Sequence, residues 1–233
     1  QDNSSKEVVF MGVGFETTSP TIASALLKAQ KDEINNFSVL SVAKIIPPAM
    51  KALLEGKEVN IDGFICPGHV SAIIGSEPYN FITTQYKVPC VVCGFEPLDI
   101  LQSIYMLVKQ IEDGRAEVEI QYERAVKPEG NKIALDKINE VFKVVDSDWR
   151  GIGNIPLSGL EAKDKYAKFN ARKFEVEIEE TREPKGCRCG EVLRGVIIPS
   201  ECPLFRKVCS PENPQGACMV STEGTCAAYY KYN

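Results

Sequence analysis

The sequence predicts an α/β protein with a mostly parallel, doubly wound sheet, followed by a helical arm and a small cysteine-rich domain. Three observations predict this architecture. Apolar, strand-like segments alternate with amphipathic, helix-like segments through the first half of the chain, as in parallel sheets covered by helices. The connections between them are short and rich in proline and glycine. Six of the nine cysteines fall within the last 47 residues.

Composition places the chain among ordinary globular proteins and excludes two partner classes. Hydrophobic residues make up 44% and charged residues 25% of the 233 residues. The net charge of −5 argues against a nucleic-acid partner, and no apolar run approaches the roughly 20 residues of a membrane span. The chain begins with Gln1 rather than Met, so we expect a piece of a longer protein. A cysteine-poor body with a cysteine-dense tail favours a cytoplasmic location.

The first 126 residues are expected to form the α/β domain. Each expected strand is an apolar run rich in β-branched residues, and the expected helices open near prolines. The expected strands are residues 7–15, 37–46, 61–66, 88–95 and 116–124. The expected helices are residues 21–30, 49–56 and 97–114, with a short segment at 72–86. One face of the helix at 97–114 carries Ile100, Leu101, Ile104, Leu107, Val108 and Ile111.

Residues 127–186 form the expected connecting region, and residues 187–233 the expected cysteine-rich domain. Within the connecting region, residues 131–145 have the pattern of an amphipathic helix. Residues 149–160 are predicted as a glycine-rich loop that contains the only tryptophan. Residues 161–180 are charged and are predicted as the helical arm.

Three polar loops follow strands of the predicted sheet. In a parallel α/β sheet, ligands bind along the edge where the carboxyl ends of the strands meet. The loops should therefore bring five candidate catalytic residues to one crevice: Glu16, Thr17, Thr18, His69 and Glu96.

These residues also have structural interpretations. His69, the only histidine, follows a Pro-Gly turn and could cap the next helix or satisfy a loop carbonyl. Glu16 and Glu96 could be first-turn acids favoured by helix dipoles, although their matching Gly-Phe-Glu turns favour a site. A dinucleotide-binding fingerprint is not favoured, because Thr17 stands where its third glycine would be.

The three cysteines of the body are predicted to be mostly structural. Cys90 and Cys93 have CxxC spacing, but residues three apart in a strand point to opposite faces. We therefore interpret both as small buried side chains. Cys66 precedes the His69 loop and is either a site thiol or a buried residue at a strand end.

The tail has the cysteine density of a metal site. Its six cysteines are Cys187, Cys189, Cys202, Cys209, Cys218 and Cys226. Gaps of 14, 6 and 16 residues separate the first, third, fourth and sixth of them. Neither the paired CxxC hooks of zinc modules nor the two-residue gaps of bacterial ferredoxins occur. Spacing alone therefore predicts a four-thiolate site of open metal identity with two spare cysteines, and a disulfide-knotted tail is the alternative.

Four motifs carry a family resemblance. GFETTSPTIA, CPGHVSAIIG, CGFEPLDILQ and CPLFRKVCSPENPQGACMVSTEGTCAAYYKY occur in this order. Together they resemble the HypD family, maturation factors for nickel–iron hydrogenases. The resemblance covers essentially the whole chain and the carboxyl-terminal two-thirds of the family. It implies two related α/β domains and a small domain that carries a [4Fe-4S] cluster, which makes the tail an iron–sulfur domain.

The resemblance also implies ligands, partners and a task. The family's tail motif, C-x(14–16)-C-x6-C-x16-C, assigns the cluster to Cys187, Cys202, Cys209 and Cys226. Likeness of the cluster environment to ferredoxin:thioredoxin reductase implies electron transfer to nearby thiols. HypC-like and HypE-like partners are implied: HypC shares the iron with HypD, and HypE delivers cyanide. The task is that of a redox-active scaffold, rather than a stand-alone enzyme, in assembling an Fe(CN)2CO unit with bound carbon monoxide.

Two family motifs are missing from these 233 residues. CG-x-H and GPGCPVC supply the iron-binding thiol and a redox pair in the family. We therefore expect this chain to hold the cluster but not to assemble the iron unit unaided. Two other functions stay open: an iron–sulfur thiol–disulfide reductase that uses Cys189 or Cys218, and a binding module stabilised by zinc or disulfides.

Overall fold

The structure is a computed structural model that describes residues 5–177 and 184–233. It confirms the α/β class. Two compact units can be distinguished among the described residues. The larger comprises Gln1–Pro48, Asp62–Asp146 and Leu157–Val176, and the smaller comprises Ala49–Ile61, Ser147–Pro156 and Glu177–Asn233. The predicted domain limits after residues 126 and 186 stay predictions. None of the helices in the described residues is long and apolar enough to cross a membrane.

The strands of the larger unit form two parallel sheets. The strands of the described residues are β1 (Val8–Gly14), β2 (Phe37–Ala43), β3 (Phe64–Pro67), β4 (Cys90–Cys93), β5 (Val118–Ile120), β6 (Phe142–Trp149) and β7 (Gly153–Ala162). β1 pairs in parallel with β2, from Val8 opposite Phe37 to Gly14 opposite Ala43. β4 lies between β3 and β5 and is parallel to both. The parallel pairing was predicted, but β1 to β5 form two hydrogen-bonded sheets rather than one, and β6 and β7 pair separately.

Helices follow most of these strands. They are α1 (Ser19–Lys31), α2 (Ile46–Leu54), α3 (Gly68–Ile74), α4 (Asn80–Gln85), α5 (Pro97–Glu112), α6 (Lys132–Val141), α7 (Cys189–Leu193), α8 (Ala217–Val220) and α9 (Thr225–Tyr232). Short 3-10 helices lie at Glu77–Tyr79, Asp164–Phe169, Ala171–Lys173 and Pro199–Glu201. Proline in the first turn, which has no amide hydrogen to lose there, opens α1 and α5.

The main core of the larger unit forms where α1 packs along α6 and contacts β1. Ala23 and Leu26 of α1 are fully buried there together with Val141 and Phe169. Full burial of one such apolar side chain stabilises the fold by about 1.5–3 kcal/mol. This core holds β1 and β2, and therefore the loop that follows β1, in place.

The α5 helix is turned differently from the prediction. Only one of the six apolar residues that share the predicted apolar face, Leu107, is buried. The buried face carries Asp99, Ser103 and Gln110 instead. Gln110 explains this, because its side chain accepts the Glu117 amide hydrogen at 2.8 Å and donates to Glu119 at 2.8 Å. Specific hydrogen bonds to the β5 region thus take precedence over the hydrophobic pattern.

Two predictions for the connecting region are wrong. Residues 149–160 do not form a loop, because β6 and β7 make a hairpin whose turn is glycine-rich. The described part of residues 161–180 does not form one continuous helix. β7 extends to Ala162, and the two 3-10 helices between residues 164 and 173 follow it. The rest of the predicted arm, residues 178–183, lies outside the described residues.

The smaller unit has its own core, built mainly from the tail. It contains Val192 of α7, Phe205 and Met219 of α8. Phe205 meets Tyr229 and Tyr230 of α9 edge-on, with ring centroids 5.9 and 5.8 Å apart. All six tail cysteines lie in or beside this core, which makes them part of one packed region.

Candidate functional site

Glu16 lies in the loop between β1 and α1 and points into the larger unit. Its side chain is buried, with 3% of the residue exposed. Oε1 accepts a hydrogen bond from the Ile46 amide at 2.9 Å, while Oε2 has no hydrogen-bond partner among the described residues. Burial raises the pKa of Glu16 from 4.5 to about 7, against the lowering effect of the Ile46 hydrogen bond. Glu16 can therefore hold or release a proton near neutral pH.

The two threonines beside Glu16 are exposed. Thr18 precedes α1 and donates from its hydroxyl to the Phe15 carbonyl at 3.1 Å, so it shapes the loop. A Cβ on Gly14, whose φ is +143°, would lie 2.3 Å from the Thr18 hydroxyl oxygen. Glycine is needed at this position, because the turn brings the chain back against Thr18.

Tyr79 is a fully buried residue that contacts α3, and sequence reasoning missed it. The Tyr79 and Ser71 hydroxyls are 3.2 Å apart, and Ser71 donates to the Pro67 carbonyl at 2.9 Å. Burial raises the pKa of Tyr79 far above its usual range. Tyr79 thus provides a buried hydroxyl that bonds to α3, the helix that carries His69.

The cysteines of β3 and β4 are buried, as the structural interpretation predicted for Cys90 and Cys93. Cys66 is also fully buried, which favours the interior alternative over the site thiol. A hydrogen bond to Cys90, followed by burial, raises the pKa of the Cys66 thiol well above its usual range. The Cys66 thiol is therefore a poor nucleophile.

His69 and the Gly-Phe-Glu turn after β4 are brought together directly. The His69 imidazole stacks on the Phe95 ring with centroids 3.9 Å apart and an interplanar angle of 26°. His69 is exposed, and no residue that the structure describes makes a hydrogen bond to its ring nitrogens. It is neither a helix cap nor bonded to a loop carbonyl, so both nitrogens can reach a ligand.

Glu96 is an exposed N-cap of α5. It forms a capping box with Asp99, whose carboxylate accepts the Glu96 amide hydrogen at 3.2 Å. Arg124 donates to both oxygens of Asp99 and lies 3.8 Å from the Glu96 carboxylate. The hydrogen bonds from Arg124 and Gln121 hold the pKa of Asp99 well below its usual range. The structural interpretation of Glu96 as a first-turn acid therefore accounts for part of its position.

The segment after β5 completes this site, and sequence reasoning missed it. Gln121 accepts the Gly94 amide hydrogen at 3.1 Å and donates to Asp99 at 2.9 Å. The Arg124 guanidinium lies 4.5 Å from the centre of the Tyr122 ring. The alternating pattern of residues 116–124 had predicted one continuous strand, but β5 ends at Ile120. The side chains that follow it turn onto the site instead.

In the smaller unit, the predicted cluster ligands line one cavity. Its lining includes all six tail cysteines, with Phe205 and Met219 on its apolar wall. The four predicted ligands are Cys187, Cys202, Cys209 and Cys226. They come from a turn, the end of a 3-10 helix, a second turn and α9. The fold therefore collects thiols that are up to 39 residues apart in the sequence.

The four thiols are electrostatic neighbours. Burial, together with Cys202, Cys209 and Cys187, raises the pKa of the Cys226 thiol from 9.0 to about 11. The Gln215 amide donates to the Cys209 sulfur at 3.4 Å. Grouped thiols that disfavour one another's ionisation are a suitable environment for a cation that compensates their charge.

The remaining two cysteines form a disulfide, Cys189–Cys218. The Cys218 amide also donates to the Cys189 sulfur at 3.3 Å. The disulfide borders the same cavity as the four thiols, and Cys189 also borders an open cleft of about 950 Å³ beside Trp149 and Arg150. The sequence analysis treated these two cysteines as spare and did not predict their pairing.

The donor set fits an iron–sulfur cluster, since it consists of four thiols around one apolar cavity. A Cβ on Gly216 would lie 2.5 Å from the Cys187 sulfur, so only glycine leaves room for that sulfur. Within residues 5–177 and 184–233, no three His, Cys, Asp or Glu side chains are close enough to hold a single metal ion. The ligand assignment and the cluster stay predictions.

Comparisons with known proteins agree on one family. The family model described as HypD, hydrogenase formation hypA family, matches residues 1–233. A putative hydrogenase expression/formation protein of Methanocaldococcus jannaschii is 48% identical over 97% of the chain. Hydrogenase maturation factor HypD of Cupriavidus necator is 45% identical and hydrogenase expression/formation protein HupD of Azotobacter chroococcum is 48% identical, each over 100% of the chain. The chain spans 63% of the length of each of these relatives.

Proposed function

The chain belongs to the HypD family, and from this premise we propose that it serves as a redox-active scaffold in nickel–iron hydrogenase maturation. Its substrate would be the iron that becomes the Fe(CN)2CO unit, handled together with HypC-like and HypE-like proteins. The observation that carries the proposal is the common cavity of Cys187, Cys202, Cys209 and Cys226, the four cysteines of the family motif.

Those four thiolates would hold a [4Fe-4S] cluster. When bound, such a cluster supplies single electrons at a potential set by hydrogen bonds to its sulfurs and by its burial. The chain's own contributions are the thiolates, the amide that donates to Cys209 and the apolar wall around Phe205. The amide and the wall would tune the potential and limit access of water.

The chemistry at the iron substrate would use the other site. His69 offers exposed ring nitrogens that can donate a hydrogen bond to a cyanide ligand, whose terminal nitrogen is an acceptor. Glu96, which follows the Phe95 that stacks on His69, and Arg124, 3.8 Å from the Glu96 carboxylate, would orient polar groups of the substrate or partner. Glu16 would act from the interior by holding a proton at its buried carboxyl group. The thiol that binds the iron in the family lies in a motif outside these residues.

One observation favours a second function, thiol–disulfide reduction. The Cys189–Cys218 disulfide shares its cavity with the four thiols. It can accept two electrons and two protons, which cleaves the S–S bond and leaves two thiols. A reductase would need this disulfide for turnover, whereas a scaffold would need it only for electron storage.

Partner binding tests the proposed function. The chain is co-expressed as part of a full-length protein that carries the CG-x-H and GPGCPVC motifs, together with a HypC-like protein, and is purified anaerobically, as wild type and as H69A. We expect co-purification with the wild type, and hydrogenase activity in a host that lacks its own HypD. H69A should abolish the activity, and the exposed E77Q variant should not. No complex and no restored activity with the wild-type protein would contradict the proposal.

A further inference from the structure

Tyr122 lies between the two glycine turns of the proposed iron-handling site. A Cβ on Gly68 would lie 2.9 Å from Tyr122 Cδ1, and one on Gly94 would lie 2.8 Å from Tyr122 Cδ2. The two edges of the Tyr122 ring therefore lie against the backbones of the CPGH and CGFEP motifs. Glycine at both positions is what allows the ring to lie there.

The position of the Tyr122 ring is itself fixed from three directions. Its backbone amide donates to the Val92 carbonyl of β4 at 3.2 Å. The Arg124 guanidinium covers one side of the ring, and Asp99 holds that guanidinium with two hydrogen bonds. Phe95 meets the ring edge-on, with centroids 6.5 Å apart. Because the Tyr122 ring is held in place, it restrains the Phe95 ring that packs on it.

His69 follows Tyr122 and Phe95 in this sequence of ring contacts. Phe95 is 55% exposed, so little besides Tyr122 and His69 restrains its ring. The imidazole lies flat on Phe95, and no residue in the described part of the chain hydrogen-bonds to its nitrogens. Its orientation therefore depends on stacking alone, which is an unusual arrangement for a group meant to meet a ligand at a defined angle.

We propose that Tyr122 is a positioning residue: its ring locks the two glycine turns, so that Phe95 holds the His69 imidazole in one orientation with both nitrogens open to a ligand. The inference rests on the proposed function only for the identity of that ligand. It predicts that the aromatic ring, and not the hydroxyl, is what matters. No hydrogen bond of the Tyr122 hydroxyl occurs among the described residues.

NMR can test the positioning role of Tyr122 independently of the proposed function. The chain has one histidine, so its Hε1 proton gives a single assignable signal. Stacking on the Phe95 face should shift this signal upfield. We expect the upfield shift in the wild type, in Y122F and in Y105A, a control tyrosine that is 65% exposed on α5. Y122A should lose it, and so should F95A, the reference for an unstacked imidazole. Retention of the shift in Y122A, or its loss in Y122F, would overturn the proposal.

Two further measurements separate the outcomes. If Y122A does not fold, Y122L, which keeps most of the volume but no ring, replaces it in the same comparison. Hydrogenase activity in the complementation assay should fall roughly tenfold or more in Y122A and stay at the wild-type level in Y122F and Y105A. If even the wild type fails to restore activity, the proposed function fails, while the NMR comparison still decides the role of Tyr122.

Discussion

The Glu16 carboxylate accepts a hydrogen bond from the Ile46 amide at 2.9 Å and keeps its second oxygen buried without a partner among the described residues. One hydrogen bond offsets only part of the cost of burying a charge, so the neutral form is favoured. This is why the pKa of Glu16 is raised to about 7. Glu16 is therefore both an anchor for the start of α2 and a group that changes charge near neutral pH.

The first prediction concerns the pH dependence of stability. The pKa of Glu16 is 4.5 ordinarily and about 7 in the folded protein. Between these values the unfolded chain has lost the proton and the folded chain still holds it, so stability falls as pH rises through this window. The loss is on the order of 3 kcal/mol. E16Q should lack it.

Thermal unfolding between about pH 5 and pH 8 measures this effect. The melting temperature of E16Q should rise relative to the wild type as pH increases. E77Q, at an exposed carboxylate, is the control and should follow the wild type. A constant difference between E16Q and the wild type across this range would show that Glu16 does not hold a proton in the folded state.

The second prediction concerns Gly94. A Cβ there would lie 2.1 Å from the Asp99 carboxylate oxygen, which Arg124 holds in place. G94A should therefore destabilise the protein by about 1–3 kcal/mol, as overpacking does elsewhere. G63A is the matched control, because its Cβ would meet only atoms at 3.2 Å or beyond. Equal urea midpoints for the two variants would contradict the close approach of this turn.

The third prediction concerns the buried polar face of α5. Q110L removes the acceptor of the Glu117 amide and the donor to Glu119. Leaving a buried amide unpaired costs about 1–3 kcal/mol. L101Q, on the exposed face, should change stability by less than about 0.5 kcal/mol. If urea unfolding showed L101Q to be the more damaging change, the observed orientation of α5 would be wrong.

These comparisons show what local sequence patterns could predict here. The rule that loops after parallel strands gather along one edge was enough to place His69 near the Gly-Phe-Glu turn, and the structure shows that the two loops follow adjacent parallel strands. The face of α5 was not predictable from its apolar periodicity, because Gln110 is satisfied by residues of the β5 region. Pairing of β6 with β7 was missed because its turn and first residues are rich in glycine.

The contacts of single side chains were also beyond the sequence pattern. Tyr122 belongs to a segment that alternates like a strand, and its role depends on the chain leaving β5 after Ile120. The Cys189–Cys218 disulfide depends on α7 and α8 packing together, over a sequence separation of 29 residues. Such contacts depend on tertiary packing, which local patterns do not encode.

The fourth prediction concerns that disulfide. Closing a loop of this length should stabilise the fold by about 3–4 kcal/mol through the entropy of the unfolded chain. Alkylation of the denatured, cluster-free protein, followed by mass spectrometry, should block seven cysteines before reduction and nine after it. C189S should lower the melting temperature and make the Cys218 peptide reactive without reduction. C93S, at a buried free thiol of β4, is the control, and its Cys218 peptide should stay unreactive until reduction. Blocking of Cys189 and Cys218 in the unreduced wild type would contradict the pairing.

The assignment of Cys187, Cys202, Cys209 and Cys226 as cluster ligands is the central claim, and metal analysis tests it most directly. Protein purified anaerobically, or reconstituted with iron and sulfide, should contain about four iron and four sulfide ions per chain. C202S and C226S should lose both, while C189S and C218S should keep them. Zinc in place of iron, or loss of iron on replacing Cys189 or Cys218, would contradict the account.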